Sequence, residues 1–459
     1  MHEERTKAFI YLKNTDGLAH FHYFCKAKGF PLWRICVKII FRKTKCFRKE
    51  VLFLDDYQQY SKRNLSIMWF ANFFISGSMT MVLPFLSLYI ESMGNFSEKY
   101  VQHWSGLCFS VTFIAAFLFS PIWGKIGDKF GRKKILIALG FGLGLSIFLM
   151  SFVTSVWQLF ALRFFTGFFT GFIPMSQAFI ATQTPKKTAG KVLGTLQTGS
   201  ITGSLIGPLL GGAIADSIGY SDTFRYTSFA ILLSVILVFT TKEFILPVAK
   251  GIKQHYSTKE VLGYILKNPI FITVLLISAV IQIAHFSIQP ILSLYVSELH
   301  GTESIALFSG IAFSAAGLGN LLMARKWGEL GDRKGYLKLL VILLFIAGIV
   351  YFPGGFVTDY WQLLIIRFLL GVSIGGLIPV RIAYIRQEVP ITMQGEVMGY
   401  ETSLRFLGNI IGPTFGGIIA GHYGFSAVFF TTSSLLLICG VFLVTMMHRH
   451  PKYVKHTIS

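Results

Sequence analysis

Charge is what this sequence has least of. Asp, Glu, Lys and Arg together make 14% of its 459 residues, against about 25% in ordinary soluble domains, and that shortage excludes an ordinary soluble fold. Carboxylates are scarcer still, with 21 Asp and Glu against 42 Lys and Arg. Cysteine is sparse as well. Cys25, Cys36 and Cys46 fall in a basic leader at spacings that match no zinc site, and Cys108 and Cys439 lie inside apolar runs as packing residues. No metal is expected. The chain lacks a G-x-x-x-x-G-K-[ST] stretch for nucleotide phosphates, so uphill work would draw on an ion gradient. It also lacks any catalytic motif or cofactor fingerprint, so neither an enzyme nor a cofactor is expected. No signal-peptide cleavage pattern follows the leader.

What the chain has is apolar length. Hydrophobic residues make 53%, the mean hydropathy is +0.61, and Phe and Gly number 45 each. Phe suits lipid, and Gly lets membrane helices approach closely. Apolar runs of roughly 20 residues recur, each long enough to cross about 30 Å of hydrocarbon. Twelve helical spans are expected, at 67–90, 104–123, 135–154, 157–180, 192–215, 224–243, 268–296, 304–324, 337–356, 360–383, 395–420 and 425–447. They are helices because a backbone in lipid must satisfy its own hydrogen bonds. Lys and Arg crowd alternate loops, from Lys125–Lys134 through Lys186, Lys187 and Lys191 to Arg325–Lys334 and Arg386. By the positive-inside rule this places both termini in the cytoplasm of a multi-pass protein. The net charge of +21 is this bias plus the leader, and its scatter over loops argues against a nucleic-acid partner.

The membrane body is written twice. WGKIGDKFGRKKIL at 123–136 returns as WGELGDRKGYLKLL at 327–340, and WQLFALRFFTG at 157–167 returns as WQLLIIRFLLG at 361–371, both 204 residues later. GPLLGGAIA at 207–215 returns as GPTFGGIIA at 412–420, an offset of 205. The expected organisation is a basic cytoplasmic extension over 1–60, a six-helix half over 61–243, a cytoplasmic linker over 244–267, and a second half with a short tail over 268–459. Duplicated halves place the working site between them. Two readings fit the extension: an amphipathic segment on anionic lipid, or a native start further downstream at a non-Met codon, since no Met occurs between Met1 and Met68.

Proton coupling needs a carboxylate that can be neutralised in the membrane. In the first half Glu91 and Asp216 lie at outer span ends. In the second, Glu401 sits inside the eleventh span with Arg405 one turn on, on the same face. Their repeat counterparts are Leu196 and Ser200 (401 − 205 and 405 − 205). Glu401 is therefore the expected proton carrier; the alternative is a static ion pair with Arg405 or with Asp128. Glu396, nearer the cytoplasmic end, is a weaker candidate. Asn72, Gln177, Gln282, His285 and Gln289 are polar within apolar runs, and read either as substrate contacts or as glue between helices. Abundant Phe and Met suit bulky apolar cations.

The loop GKIGDKFGRKK, through Gly124, Gly127, Asp128, Gly131, Arg132 and Lys133, resembles the signature of the major facilitator superfamily. The resemblance implies a cytoplasmic gate; the plainer reading is a basic loop that sets topology. GSLIGPLLGG, through Gly203, Gly207, Pro208, Gly211 and Gly212, resembles that superfamily's antiporter pattern, although its copy GNIIGPTFGG at 408–417 also fits pure packing. Arg163 matches the position tied in the family to proton coupling, and its partner Arg367 argues equally for a structural Arg bonded to carbonyls. With LPFLSLYIE and FSPIWGKIGDKFGRK, these motifs make the chain beyond residue 60 similar to the drug:proton antiporters of the multidrug efflux, MdtG-like type. The resemblance implies an all-α, twelve-helix fold in a bacterial plasma membrane. It also implies a monomer, a small drug-like substrate, protons as the coupling ion and alternating access. Export of a sugar or metabolite is the alternative, and a non-transporting receptor is disfavoured by the retained motifs.

Overall fold

A computed structural model describes residues 45–184, 189–244, 258–301, 303–390 and 393–452. The leader cysteines Cys25 and Cys36 lie outside the described residues, as does the side chain of Cys46. The chain divides into two compact units, Met1–Lys62 and Arg63–Ser459, and the second holds the helices of the membrane body.

Among the described residues helix is the only regular secondary structure. The elements of the first half are α1 (Lys45–Met81), α2 (Leu86–Ser92), α3 (Glu98–Phe130), α4 (Arg132–Met150), α5 (Val156–Phe168), α6 (Phe172–Thr182), α7 (Ala189–Ile218) and α8 (Tyr220–Phe239). Those of the second are α9 (Thr258–Lys267), α10 (Pro269–Ser287), α11 (Leu292–His300), α12 (Ile305–Lys334), α13 (Tyr336–Tyr351), α14 (Tyr360–Glu388), α15 (Gln394–Tyr423) and α16 (Phe425–Arg449), with a 3-10 turn at Phe352–Phe356. Among the described residues ten helical spans are long and apolar enough to cross a membrane, and the bent pair α1–α2 makes an eleventh. The remaining long helix is α15, which carries the charges Glu396, Glu401 and Arg405. The multi-pass, all-helical architecture is therefore that expected, with longer helices than the apolar runs alone suggest.

Local chemistry sets the boundaries. Ser97, Ser155 and Asp359 cap α3, α5 and α14 by accepting from backbone N–H groups, and Asn268 does the same for α10 ahead of Pro269. Gly131 (φ 96°) and Gly335 (φ 88°) turn α3 into α4 and α12 into α13, a left-handed conformation that a side chain would strain. The expected span 157–180 is broken around 169–171 into α5 and α6, whereas its copy α14 runs unbroken. One residue is gained there: Trp157 and Trp361 are 204 apart, but Pro174 and Pro379 are 205 apart. Inside the expected linker, α9 packs Val261 and Ile265 inward, and Tyr264 donates to the Glu388 carbonyl at 2.6 Å.

The duplication extends to buried polar staples. Trp123 Nε1 donates to the Phe168 carbonyl at 2.7 Å, and Trp327 Nε1 to that of Val372 at 2.8 Å. Tyr89 bonds the Met150 and Val153 carbonyls as Tyr295 bonds those of Gly354 and Val357. Ser228 reaches Gly144 as Ser433 reaches Gly348. Each staple removes an orphan polar group from an apolar medium, where leaving it unpaired is costly. Phe141, Phe229, Ile349 and Ile438 are among the large apolar side chains left on the outside, as a lipid-facing surface requires.

Candidate functional site

Two seams join the halves, α3 against α15 and α7 against α12. Both are built from glycine. Gly203, Gly207 and Gly211 of α7 press on the backbone of α1, while Gly212 meets Ala306 of α12 and Gly310 meets the Pro208 carbonyl. In the copy, Gly408, Gly412 and Gly416 press on α10. A Cβ at Gly417 would lie 2.5 Å from the Gln102 carbonyl oxygen, and one at Gly106 2.5 Å from that of Pro413. Side-chain hydroxyls staple the same seams, Ser110 to the Ile410 carbonyl at 2.6 Å and Ser314 to that of Leu205 at 2.8 Å. Each copy of the GxxxGPxxGG motif is thus two-faced. One row of glycines packs its own half, and the last glycine touches the other half.

These contacts hold the halves together at the end away from the basic loops. There Asp216 accepts from the N–H groups of Ala306 (3.1 Å) and Leu307 (2.7 Å), a carboxylate on the positive end of α12. At the matching place on the other seam, His103 and His422 stack with ring centroids 5.1 Å apart. Asp216→Asn is expected to raise the population opened at this end severalfold, read as a broader distance distribution between spin labels placed across it. Between α3 and α15 lie a cleft of about 720 Å³ towards the basic end and one of about 670 Å³ at the opposite end.

The basic-loop motif binds within its own half. The backbone N–H groups of Arg132 and Lys133, at the start of α4, donate to the two carboxylate oxygens of Glu243 at 2.8 and 3.2 Å. Lys133 Nζ donates to the Phe239 and Thr241 carbonyls at the end of α8, and the Arg132 guanidinium to the Ala178 carbonyl on α6. Gly127 packs on Met175, and Gly124 has open space around it. The side chain of Asp128 lies outside the described residues. In the second copy Tyr336 donates to Asp332 in place of the missing basic pair.

The charged centre of the second half has a partner that the sequence reading missed. Glu401 Oε1 accepts from Arg381 Nη2 of α14 at 2.8 Å, and both side chains are fully buried. Arg405 is more distant, with Nε 3.9 Å from the same oxygen and a third of its side chain exposed. Arg381 also reaches the Ser278 carbonyl of α10 at 3.5 Å. Arg381 Nε and Glu401 Oε2 find no hydrogen-bond partner among the described residues. The expected pairing with Arg405 is thus present at 3.9 Å, with Arg381 of another helix as the nearer partner, and the Asp128 alternative falls on a side chain outside the described residues. At the local offset of 205, Arg381 and Glu401 correspond to Ser176 and Leu196, and Ser278 (offset 206, from Pro84 and Pro290) to Asn72. The first half therefore holds an uncharged Asn–Ser–Leu set where the second holds a buried ion pair.

Arg163 and Arg367 behave alike. Arg163 Nε donates to the Cys108 carbonyl at 3.3 Å over the Phe109 ring, and Arg367 Nε to that of Ala312 at 3.2 Å over Phe313. The polar candidates that are hydrogen-bonded have separate partners, apart from His285 and Gln289. Asn72 is buried with neither amide atom hydrogen-bonded, Gln177 donates to Gln197 at 2.8 Å, and Gln282 donates to Asn409 at 3.0 Å while its own oxygen stays unpaired. His285 and Gln289 approach to 3.4 Å.

Comparison with known proteins agrees with this architecture. The profile of the Major Facilitator Superfamily matches residues 68–326 and 280–458. The chain is 53% identical over 383 residues to an uncharacterized MFS-type transporter, YuxJ, of Bacillus subtilis (strain 168), covering 83% of this chain and 97% of that one. It is 39% identical over 391 residues to the multidrug resistance protein MdtG of Citrobacter koseri, covering 84% and 96%. Among solved structures, a bacterial homolog of the human lysosomal transporter Spinster in an inward-facing, occupied conformation superposes with a TM-score of 0.70. It shares 16% identity, over 88% of this chain and 99% of that one. The nucleoside transporter NupG gives 0.68 at 15%, over 84% and 99%. At such low identity these two speak for the fold alone.

Proposed function

Because this chain belongs to the major facilitator superfamily, whose matched members are transporters, we propose that it is a secondary active exporter of apolar or cationic compounds that exchanges them for protons. It works in a bacterial plasma membrane, as a monomer with both termini in the cytoplasm, by rocking its two halves about a site between them. The multidrug name of the MdtG relatives supports the substrate class, and the Lys and Arg bias of the loops supports the orientation. On that orientation the Asp216 contact and the last glycines of the two motifs lie at the outer end, and the Glu396 cleft lies at the cytoplasmic end.

The observation that carries the coupling step is the buried Arg381–Glu401 pair, which the first half lacks. A charged pair in lipid is expensive to maintain and marks function by default. Protonating Glu401 removes the charge that holds Arg381, so proton binding and the α14–α15 contact are linked and each biases the other. Arg163, matched by Arg367 in position and bonding, packs helices in this scheme. Arg132 and Lys133 anchor the gate loop to α6 and α8, and the glycine seams close the outer end. Asn72, with an unsatisfied amide at the place equivalent to Ser278, is the first-half contact best placed to meet a ligand.

Purified protein in liposomes with an imposed pH gradient tests the reading. Ethidium is expected to move against its gradient when the proton gradient is inward, and to stop when a protonophore collapses it. Movement of a sugar or other metabolite, with none of the dye, would transfer the assignment to the alternative substrate class.

A further inference from the structure

The cleft between α3 and α15 is chemically unlike its repeat image. It is lined by Phe117 of α3 and by Met398, Tyr400 and Phe406 of α15, and Glu396 is its one charged lining residue among the described residues. Phe117 and Phe406 meet across the seam with ring centroids 6.1 Å apart and form its inner wall. Tyr400 donates its hydroxyl to Glu396 Oε1 at 3.0 Å. No Lys or Arg among the described residues pairs with that carboxylate. Arg405 is nine residues further along α15, about 13 Å away, beside Glu401.

The other seam is the control that the duplication provides. At offsets of 204 for α3 and 205 for α15, Phe117 becomes Leu321, Tyr400 becomes Thr195, Phe406 becomes Ile201 and Glu396 becomes Lys191. Three aromatic rings and an acid on one side are replaced by aliphatic and hydroxyl groups and a base on the other. A helix seam needs none of that difference in order to pack. An organic cation does, because an aromatic wall attracts it through the ring quadrupole and a half-buried carboxylate through charge.

We propose that the α3–α15 cleft is a binding site for lipophilic organic cations, seated with the cationic centre at Glu396 and the apolar body against Phe117, Met398 and Phe406. It is the port by which such compounds reach the space between the halves, and the α7–α12 seam is not. This inference rests on the export reading above. It is tested without a gradient, so that the two fail separately.

The probe is tetraphenylphosphonium, measured by equilibrium binding to the full chain in phosphatidylglycerol nanodiscs. Glu396→Gln is expected to weaken binding by about tenfold or more, the loss of one charge contact, while Lys191→Gln leaves it unchanged. Neutral triphenylphosphine oxide should bind wild type and Glu396→Gln alike. Phe406→Leu, which keeps the charge, should weaken the phosphonium by about threefold or more. Independently, the phosphonium should slow maleimide labelling of a Thr402→Cys variant. Equal phosphonium affinity in wild type and Glu396→Gln overturns the proposal, as does unprotected labelling at Thr402→Cys. Protection by phosphatidylethanolamine in place of the phosphonium also overturns it, by making the cleft a lipid site. Loss of gradient-driven transport with these binding results intact would overturn only the export reading.

Discussion

Glu401→Gln is expected to reduce gradient-driven transport in liposomes to the level of empty vesicles and to lower the melting temperature of the carrier. Two effects combine. The first is chemical, since an amide cannot carry the proton. The second is energetic, since Arg381 keeps its charge in a fully buried position with no anion beside it. Removing one member of a buried pair typically costs about 3–5 kcal/mol. Arg381→Ala should destabilise to a similar extent by stranding Glu401. The double variant Arg381→Ser with Glu401→Leu separates the two effects, because it installs the residues that the first half uses at Ser176 and Leu196. It should recover most of the lost melting temperature and remain uncoupled. A double variant that still follows the pH gradient would remove Glu401 from the mechanism. A Glu401→Gln protein as stable as wild type would mean that the pair contributes nothing to the packing of α14 on α15.

Gly417→Leu is expected to stall the carrier in a form opened at the end away from the basic loops. A first side-chain carbon there already falls 2.5 Å from the Gln102 carbonyl oxygen, well inside any contact that real side chains make, and the neighbour is backbone and cannot rotate away. Three further carbons must push α15 from α3 towards the ordinary interaxial distance of about 8–10 Å. Spin labels at Lys99 and Tyr423, on opposite sides of this seam, should report a shift of roughly 3 Å or more and a lost closed population. Transport should fall with it. Gly212→Leu should act the same way on the α7–α12 seam, where Ala306 takes the clash. Closed-form distances unchanged in both variants would mean that the seams do not set the outer closure.

Much of this architecture is legible in the residue order. The repeated Trp-Gly and Gly-Pro landmarks reveal the two halves, and apolar length gives the spans because lipid permits only helices or closed barrels and runs of about 20 residues are of helix length. Single contacts are harder to read. The i,i+4 spacing draws attention to Arg405 as the partner of Glu401, since helix neighbours show in sequence and neighbours across helices do not. The nearer partner, Arg381, does leave a trace. It stands where the first copy has Ser176, but only once the offset is shifted from 204 to 205 at the place where the fourth span breaks between α5 and α6 and its copy α14 does not. The glycine motif reads as a single signature, and only packing shows that its rows serve two different neighbours. Arg163 and Arg367 are alike in sequence and prove alike in bonding.

One consequence of α15 lies in the distance between its two special places. Glu401 and Gly417 are 16 residues apart on one helix, about 24 Å along its axis. The near end carries a charge that can be cancelled. The far end rests on α3 with no side chain between the two backbones, so it offers a fulcrum over which a helix can tilt with little to unlock. On the proposed coupling, a small change in how α14 holds the near end would tilt the helix about that fulcrum, with the helix as a lever. The twin rod α7 has the same bare fulcrum at Gly212 but Leu196 at its near end, so it can follow such a movement and has no handle with which to start it.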